Sequence, residues 1–336
     1  MSTLPHAVVT GGAGFIGSHM VDLLLERDFR VIVLDNLATG RLDNLVQHRA
    51  NPRCEVLQQD VTQLTQAGAA AFRGARYVFH FAGRGDIVPS IDHPLDYVRA
   101  NVDGTVAVLE AARTAGVAKL VYAASSSCYG ANPPLPTDEV APIRTEHPYA
   151  LTKYLGEAAA LHWQQVYRLP VVSVRIFNAY GPRVRTTGVY GAVFGVFLAQ
   201  KLNGKPLTVV GDGSQRRDFV HVRDVARAFL LAAEAGSSGE IFNLGAGQPQ
   251  PIARLAELIG GEVISLPDRP GEPACTWANT TKIQTTLGWH PDISFEDGVA
   301  EMLAHIEQWS SAPVWEPDSI AAATQGWFRA LAGVGA

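Results

Sequence analysis

The sequence predicts a doubly wound α/β fold, a parallel sheet with helices on both faces, joined to a smaller, partly interleaved C-terminal α/β lobe. Three observations point there. Short runs rich in Val, Ile and Phe alternate with longer segments of helical period. The runs are apolar throughout, as strands covered on both faces are. The pattern then changes after Phe177. In order, strands are expected at Ala7–Thr10, Arg30–Asp35, Cys54–Gln58, Tyr77–Phe81, Lys119–Ala123 and Val171–Phe177. Helices are expected between them at Ile16–Arg27, Asn101–Ala115 and Tyr149–Tyr167, the alternation that builds a parallel sheet. Beyond Phe177, Asn178–Gly188 reads as a long loop and about Tyr190–Leu202 as a helix. Phe219–Val222 and Glu240–Asn243 resume the short-strand pattern, Arg269–Pro273 is a Pro/Gly loop, and helices are expected at Thr280–Leu287 and Phe295–Trp309. Residues 1–177 are therefore expected to form one domain, with 216–245 returning to it. Residues 178–215 and 246–311 form the second lobe. The tail 312–336 is read as a packing or dimer helix, with Ile320, Thr324, Trp327, Phe328 and Leu331 on one side of its Pro317–Leu331 stretch.

Composition bounds the function without naming it. The 336 residues carry 27 Lys plus Arg against 32 Asp plus Glu, a net charge of −5, with 47% hydrophobic and 18% charged residues. That is a globular chain with core enough for two lobes. The mild acidity and the lack of a basic run argue against nucleic acid as a partner. No apolar run reaches the ~20 residues of a membrane helix, and the first strand starts too early to leave room for a signal peptide. Cys54, Cys128 and Cys275 form no CxxC pair, and the ten histidines form no HExxH. Neither a disulfide framework nor a zinc site is indicated. The chain is expected to be cytoplasmic and metal-free.

The chemistry starts at Thr10–Gly17, TGGAGFIG, between the first strand and first helix. Gly11, Gly14 and Gly17 let the backbone turn tightly, approach a pyrophosphate and pack helix on strand. Phe15 and Ile16 open the helix whose free N–H groups face the phosphates. Asp35 ends the second strand, 18 residues after Gly17, where a carboxylate accepts both ribose hydroxyls and repels a 2′-phosphate. This is a Rossmann-type site with NAD favoured over NADP. Asn36 follows Asp35, and Asp60 and Val61 lie where they could hold the adenine edge, although a strand-end Asp often has only a structural role.

Tyr149 and Lys153, four apart, share one helix face. A phenol of ordinary pKa near 10 is a poor base at neutral pH, and a neighbouring lysine cation makes its phenolate accessible. Alone, the pair would read as a solvated helix face. Upstream, however, Ser125, Ser126 and Ser127 follow the strand Lys119–Ala123, where such sheets carry active-site loops, and a hydroxyl there can reach the same substrate oxygen. Cys128 and Tyr129 read as core residues.

TGGAGFIG at 10–17, HFAG at 80–83, NVDGT at 101–105, SSSCYG at 125–130, YALTK at 149–153, RIFNAYGPR at 175–183 and RRDFVHVRDVA at 216–226 occur in order. Together, over roughly residues 6–311, they resemble the extended short-chain dehydrogenase/reductases acting on nucleotide sugars, the UDP-glucose 4-epimerase branch most. The resemblance implies Tyr149 as acid/base, Ser125 as its hydroxyl partner and Lys153 as activator. It adds Phe81, Ala82, Gly83 and Asn101 to the NAD contacts. It implies Asn178 and Arg217 at the substrate diphosphate, although Arg217 could instead pair with Asp218 or Asp224, and Arg269 at the same phosphates or the ribose. A small Thr276 at the wall position would permit a C2 N-acetyl group. A homodimer, packed through helices like Asn101–Ala115 and Tyr149–Tyr167, is also implied.

In such chemistry the 4-hydroxyl loses its proton to Tyr149 while C4 is oxidised, and an epimerase returns the hydride to the other face. Dehydratase relatives usually carry a carboxylate in the two positions after the catalytic Ser/Thr. Here those are Ser126 and Ser127. A C4 epimerase of a UDP-glucose, UDP-N-acetylglucosamine or UDP-glucuronate type is therefore expected, with a 4,6-dehydratase as the alternative. A non-catalytic NAD scaffold or sensor is disfavoured, because Ser125, Tyr149 and Lys153 are all present. Two departures from the family stand out: Arg84-Gly85-Asp86 after HFAG, where Arg84 could meet a charged sugar substituent or pair with Asp86, and the tail beyond Trp309.

Overall fold

The computed structural model describes residues 4–184, 193–268 and 272–331. Seven parallel strands form the main sheet: β1 (His6–Thr10), β2 (Arg30–Asp35), β3 (Cys54–Gln58), β4 (Tyr77–His80), β5 (Lys119–Ser125), β6 (Val171–Ile176) and, much later in the chain, β11 (Glu240–Leu244). Their spatial order is β11-β6-β5-β4-β1-β2-β3. The chain winds outward from β1 through β2 to β3, then returns to place β4 on the other side of β1. That reversal opens a crevice at the carboxyl ends of β1 and β4, where ligands of such sheets sit. This is a Rossmann-like α/β fold in which helices bury the central strands on both faces, as their composition requires, whereas the edge strand β3, expected to be covered, leaves Glu55, Val56 and Gln58 exposed.

Helices α1 (Phe15–Glu26), α2 (Gln66–Ala70), α3 (Ile87–Asp92), α4 (Pro94–Val98), α5 (Gly104–Ala115) and α6 (Pro148–Tyr167) link the first six strands. One core gathers Val9, Val33, Phe79 and Val121 under Met20 and Leu24 of α1. The opposite core packs Val8, Val78, Leu120 and Tyr122 under Val108, Leu109 and Ala160. The helix expected to begin at Asn101 is entered through a π-helical turn, Arg99–Asp103. Ser125 belongs to β5 itself, two residues past the expected strand end.

The stretch expected as a loop from Asn178 contains a short strand, β7 (Asn178–Tyr180), paired with β10 (Phe219–His221). The second lobe comprises α7 (Val193–Leu202), β8 (Leu207–Val210), β9 (Arg216–Arg217), β12 (Gln250–Pro251), α9 (Ile252–Ile259), β13 (Val263–Leu266) and α11 (Phe295–Ala304), whereas α10 (Thr281–Leu287) packs Ile283 and Leu287 into the core that α1 covers. The expected helix Phe295–Trp309 is broken at His305, after which Ile306–Trp309 is 3-10. Between the lobes, α8 (Val222–Glu234), which the sequence reading passed over, packs Val225 and Phe229 into the core that α1 covers. The tail forms α12 (Pro317–Ala323) and α13 (Gln325–Leu331). The expected helix start near Tyr190 lies outside the described residues.

Candidate active site

The crevice is one cleft of ≈ 670 Å³ running from the glycine turn past Asp35 to Ser125, Tyr149 and Lys153. At its first end Gly11 has φ +70, the left-handed region that favours glycine, and its carbonyl accepts the Gly14 N–H at 3.1 Å. A Cβ on Gly17 would run into that carbonyl and stand 2.8 Å from the Gly12 Cα. The close packing of strand, turn and helix therefore admits no side chain there. Asp35, 7% exposed, accepts the N–H of Ala13 at 2.9 Å and of Leu37 at 2.8 Å. Burial pushes its carboxyl up, and these two N–H groups oppose the shift. Asp35 thus braces the glycine turn and keeps lone pairs toward the cleft.

Phe15, Ile16, Asn36, Asp60, Val61, Phe81, Ala82 and Gly83 all line the same cleft. Asp60 is partly occupied locally. It accepts the N–H and hydroxyl of Thr62 and the Asn36 amide. Burial would raise its carboxyl, but these hydrogen bonds together hold it below the ordinary value. Asn101 does not face the cleft. Buried behind it, Asn101 accepts the Arg84 N–H at 2.7 Å and donates to the Arg84 carbonyl and the Thr152 hydroxyl.

At the other end the Tyr149 hydroxyl donates to Ser125 Oγ at 3.1 Å. Ser125 Oγ meets Ser127 Oγ at 2.8 Å and accepts the Ser127 N–H. The Tyr149 ring is stacked on His147, with centroids 5.9 Å apart, and is met edge-on by Tyr97. Burial raises the Tyr149 phenol above its usual value, the Ser125 hydrogen bond opposes, and the Asp86 carboxylate reinforces the rise. Lys153 lies 4.6 Å from the centroid of the Tyr122 ring, a cation–π contact. Burial brings its ammonium down to about 8, against the opposing pull of Glu157 one turn on.

The sequence reading missed the groups that hold these side chains. Glu157 accepts Arg175 Nε at 3.1 Å and Nη2 at 2.5 Å, together with the Ser173 hydroxyl. Arg175 reaches on to Tyr129, whose hydroxyl donates to Asn243. Its i+4 spacing from Lys153 was a signal for Glu157, and a lone Arg in the apolar run of β6 was one for Arg175. His80 is fully buried, its imidazole brought down to about 3 by burial and by the Lys153 charge. The Thr105 hydroxyl donates to the Asn101 carbonyl, so it accepts from His80 Nε2, and His80 Nδ1 then accepts from Thr10.

The expected substrate residues are placed less uniformly. Arg84 lines the cleft with Asp86, Asp96 and Arg99. The described ion pair of Arg84 is with Asp96, at 3.8 Å, and not with Asp86. Ser126 and Ser127 sit in the 3-10 turn that follows Ser125. Asn178, Thr276 and Arg217 stand together but off the cleft wall. Thr276 donates to Asn178 Oδ1 at 2.7 Å and accepts the Asp218 N–H. The Arg217 ion pair is with Glu272 at 2.7 Å, in place of Asp218 or Asp224. The reason is topological: Asp218 is taken by the N–H groups of Gly247 and Ala278, and Asp224 by Arg227 and the N–H groups of Asp292 and Ile293. Arg269 lies outside the described residues. Among those described, no three His, Cys, Asp or Glu side chains gather as a metal site.

Comparison with known proteins resolves what this arrangement belongs to. The model of the "NAD dependent epimerase/dehydratase family" matches residues 7–245. The chain belongs to that family. It is 35% identical over 303 residues to a putative UDP-glucose 4-epimerase of Methanocaldococcus jannaschii, covering 88% of this chain and 96% of that one. It is 32% identical to a dTDP-glucose 4,6-dehydratase of Streptomyces niveus, over 92% of this chain and 94% of the other. Its fold superposes at a TM-score of 0.83 and 29% identity on the UDP-glucuronic acid 4-epimerase of Bacillus cereus, solved with UDP-glucuronic acid and NAD, over 90% of this chain and 99% of that one. This epimerase/dehydratase family member therefore uses NAD. The side-chain-free glycine turn and the braced Asp35 carboxylate fit that cofactor.

Proposed function

We propose that this family member is a nucleotide-diphosphate-sugar epimerase working at C4, on a hexose of the UDP-glucose, UDP-N-acetylglucosamine or UDP-glucuronate type. The observation that carries the reading is the Tyr149–Ser125 hydrogen bond, set beside Lys153 in the cleft that also contains the glycine turn and Asp35. When bound, NAD supplies the oxidising equivalent, taking the C4 hydride and giving it back. The protein handles the proton. Tyr149 Oη takes it from the sugar 4-hydroxyl and later returns it, while Ser125 Oγ hydrogen-bonds the same oxygen. Burial makes the phenolate costly, and positive charge beside it lowers that cost. Lys153, on the same helix face, supplies that charge in each turnover.

Arg84 faces the cleft and can meet an anionic part of the substrate. Arg217 can donate to the diphosphate by exchanging Glu272 for it, with Asn178 and Arg269 as further donors. Ser126 and Ser127 place no carboxylate beside Ser125, which favours epimerisation over the dehydration of the Streptomyces niveus relative. Leu151 and Leu155 of α6 and Leu95 and Val98 of α4 are exposed apolar residues on neighbouring helices, and they support a homodimer. Leu155→Glu is expected to give monomers in sedimentation, and an unchanged sedimentation coefficient would reject that interface. A cytoplasmic location completes the reading; no described helix is long and apolar enough to cross a membrane.

Purified protein incubated with UDP-, dTDP-, GDP- and CDP-hexoses tests the proposal by product NMR. A C4 epimer from one of them is expected. A 4-keto-6-deoxy sugar with no epimer would overturn it in favour of the dehydratase.

A further inference from the structure

The tail crosses from one lobe to the other. At its start Ala312 and Trp315 pack on the small-lobe core, where Ile320 of α12 is buried. The Trp315 carbonyl accepts from Gln200 of α7 at 2.7 Å, and Lys205 pairs with Glu316 at 2.8 Å. Thr324, buried, closes the helix end by donating to the Ile320 carbonyl. Three residues later the chain is on the NAD-binding domain. Trp327, 9% exposed, forms a separate apolar cluster with Val88, Ile87 and Ile91 of α3. The approach is close: a Cβ on Gly326 would stand 3.1 Å from Asp92 Oδ1 at the end of that helix.

Helix α3 starts directly after Arg84-Gly85-Asp86, the loop that lines the cleft alongside Tyr149 and Ser125. Three groups fix this loop. Asn101 hydrogen-bonds both the N–H and the carbonyl of Arg84. The Arg84 side chain pairs with Asp96 of α4 at 3.8 Å. From the far side, Trp327 covers the apolar face of α3. A six-residue helix has too few hydrogen bonds to hold its own position, so what it packs on sets its place: α6, α4 and, from the tail, Trp327.

We propose that Trp327 is a positioning residue for substrate. Through α3 it sets the Arg84–Asp86 loop at the sugar end of the cleft, and the tail is the strap that delivers it there from the other lobe. This rests on reading that end as the sugar site. It makes the effect selective: the loop faces the sugar, so the nucleotide and NAD should be indifferent to it.

The test compares Trp327→Ala, Trp327→Phe and, from the opposite side of the contact, Val88→Ala. Trp327→Ala is expected to raise KM for the turned-over UDP-sugar about ten-fold or more, with kcat within about three-fold, bound NAD unchanged and inhibition by UDP alone unchanged. Trp327→Phe is expected to restore KM. An unchanged KM, or UDP weakened as much as the sugar nucleotide, would overturn the proposal. If Trp327→Ala does not fold, Val88→Ala reads the same contact with the same outcomes. Hydrogen exchange separates this proposal from the reading it rests on. Faster exchange of amides 84–92, with 10–17 unaffected, supports the strap even if no UDP-sugar is turned over. Unchanged exchange at 84–92 rejects it.

Discussion

Tyr149 is the residue on which the chemistry converges. Its hydroxyl donates to Ser125, its ring is held between His147 and Tyr97, and burial raises the cost of its phenolate. Tyr149→Phe removes the proton carrier and leaves this packing. Turnover is expected to fall about 10²–10⁴-fold with bound NAD unchanged, and a loss of only a few-fold would displace Tyr149 from the role. A second expectation concerns Lys153. Its cation, at about 8, is lost as pH rises through that value. The rate should therefore decline on the alkaline side from about pH 8, and a plateau well beyond it would contradict the need for that charge. At this scale the sequence was informative wherever a motif is contiguous. TGGAGFIG, and Tyr149 with Lys153, carry their geometry in their spacing. The partners of Asn101, Asn178 and Arg217 were not legible. Arg84, Thr276 and Glu272 come to them through the fold, 17, 98 and 55 residues away in sequence.

Among the elements, α6 matters most, because it carries both Tyr149 and Lys153. Two features fix it. A Cβ on Gly156 would run into the Tyr122 hydroxyl and stand 2.7 Å from the Asn101 carbonyl, so the helix lies directly on β5 and the π-helical turn. One residue on, Glu157 is tied to Arg175 and Ser173 of β6, with the ion pair wholly buried. Removing one partner of such a pair leaves an uncompensated buried charge. Glu157→Gln is thus expected to cost about 3–5 kcal/mol in urea unfolding, and a loss under about 1 kcal/mol would show the pair to be incidental. The strands of the first half and helices α1, α5 and α6 were legible because their periods are clean and their lengths ordinary, whereas α2, α3 and α4, of five or six residues each, are too short to show a helical period. The misses had local causes. The segment containing α8 began in a β-rich run, Phe219–Val222, and β8 and β13 are only four residues each, too short for periodicity to distinguish.

Across the whole molecule, several histidines are held neutral by burial. His80 and His221 are brought down to about 3, and His19 and His147 to about 4. Each has its unfolded value near 6.5, so below pH 6.5 the unfolded chain binds protons that the folded chain refuses. Their contribution is unaffected above pH 6.5 and becomes increasingly destabilising as pH falls toward about 3–4. Asp218, raised to about 6 by burial, opposes them below about pH 6, and Asp35, Glu139 and Asp224, which burial also raises, oppose them nearer the ordinary carboxylate range. Unfolding free energy is expected to fall from pH 6.5 to 4.5, by up to about 1.4 kcal/mol per pH unit for each unbalanced histidine; stability rising over that range would refute the neutral assignment. The change of pattern at Phe177 is the sequence's sign of a second lobe. The bridge made by the tail was not, since a helical period shows an apolar side without saying which lobe it will meet.

In a C4 epimerase the same carbon, C4, is oxidised and then reduced. Turnover of a nucleotide hexose deuterated at C4, with the product examined by NMR and mass spectrometry, tests it most directly. The C4 epimer with the deuterium retained at C4 is the expected product. Deuterium found at C6 of a 4-keto-6-deoxy product would contradict it.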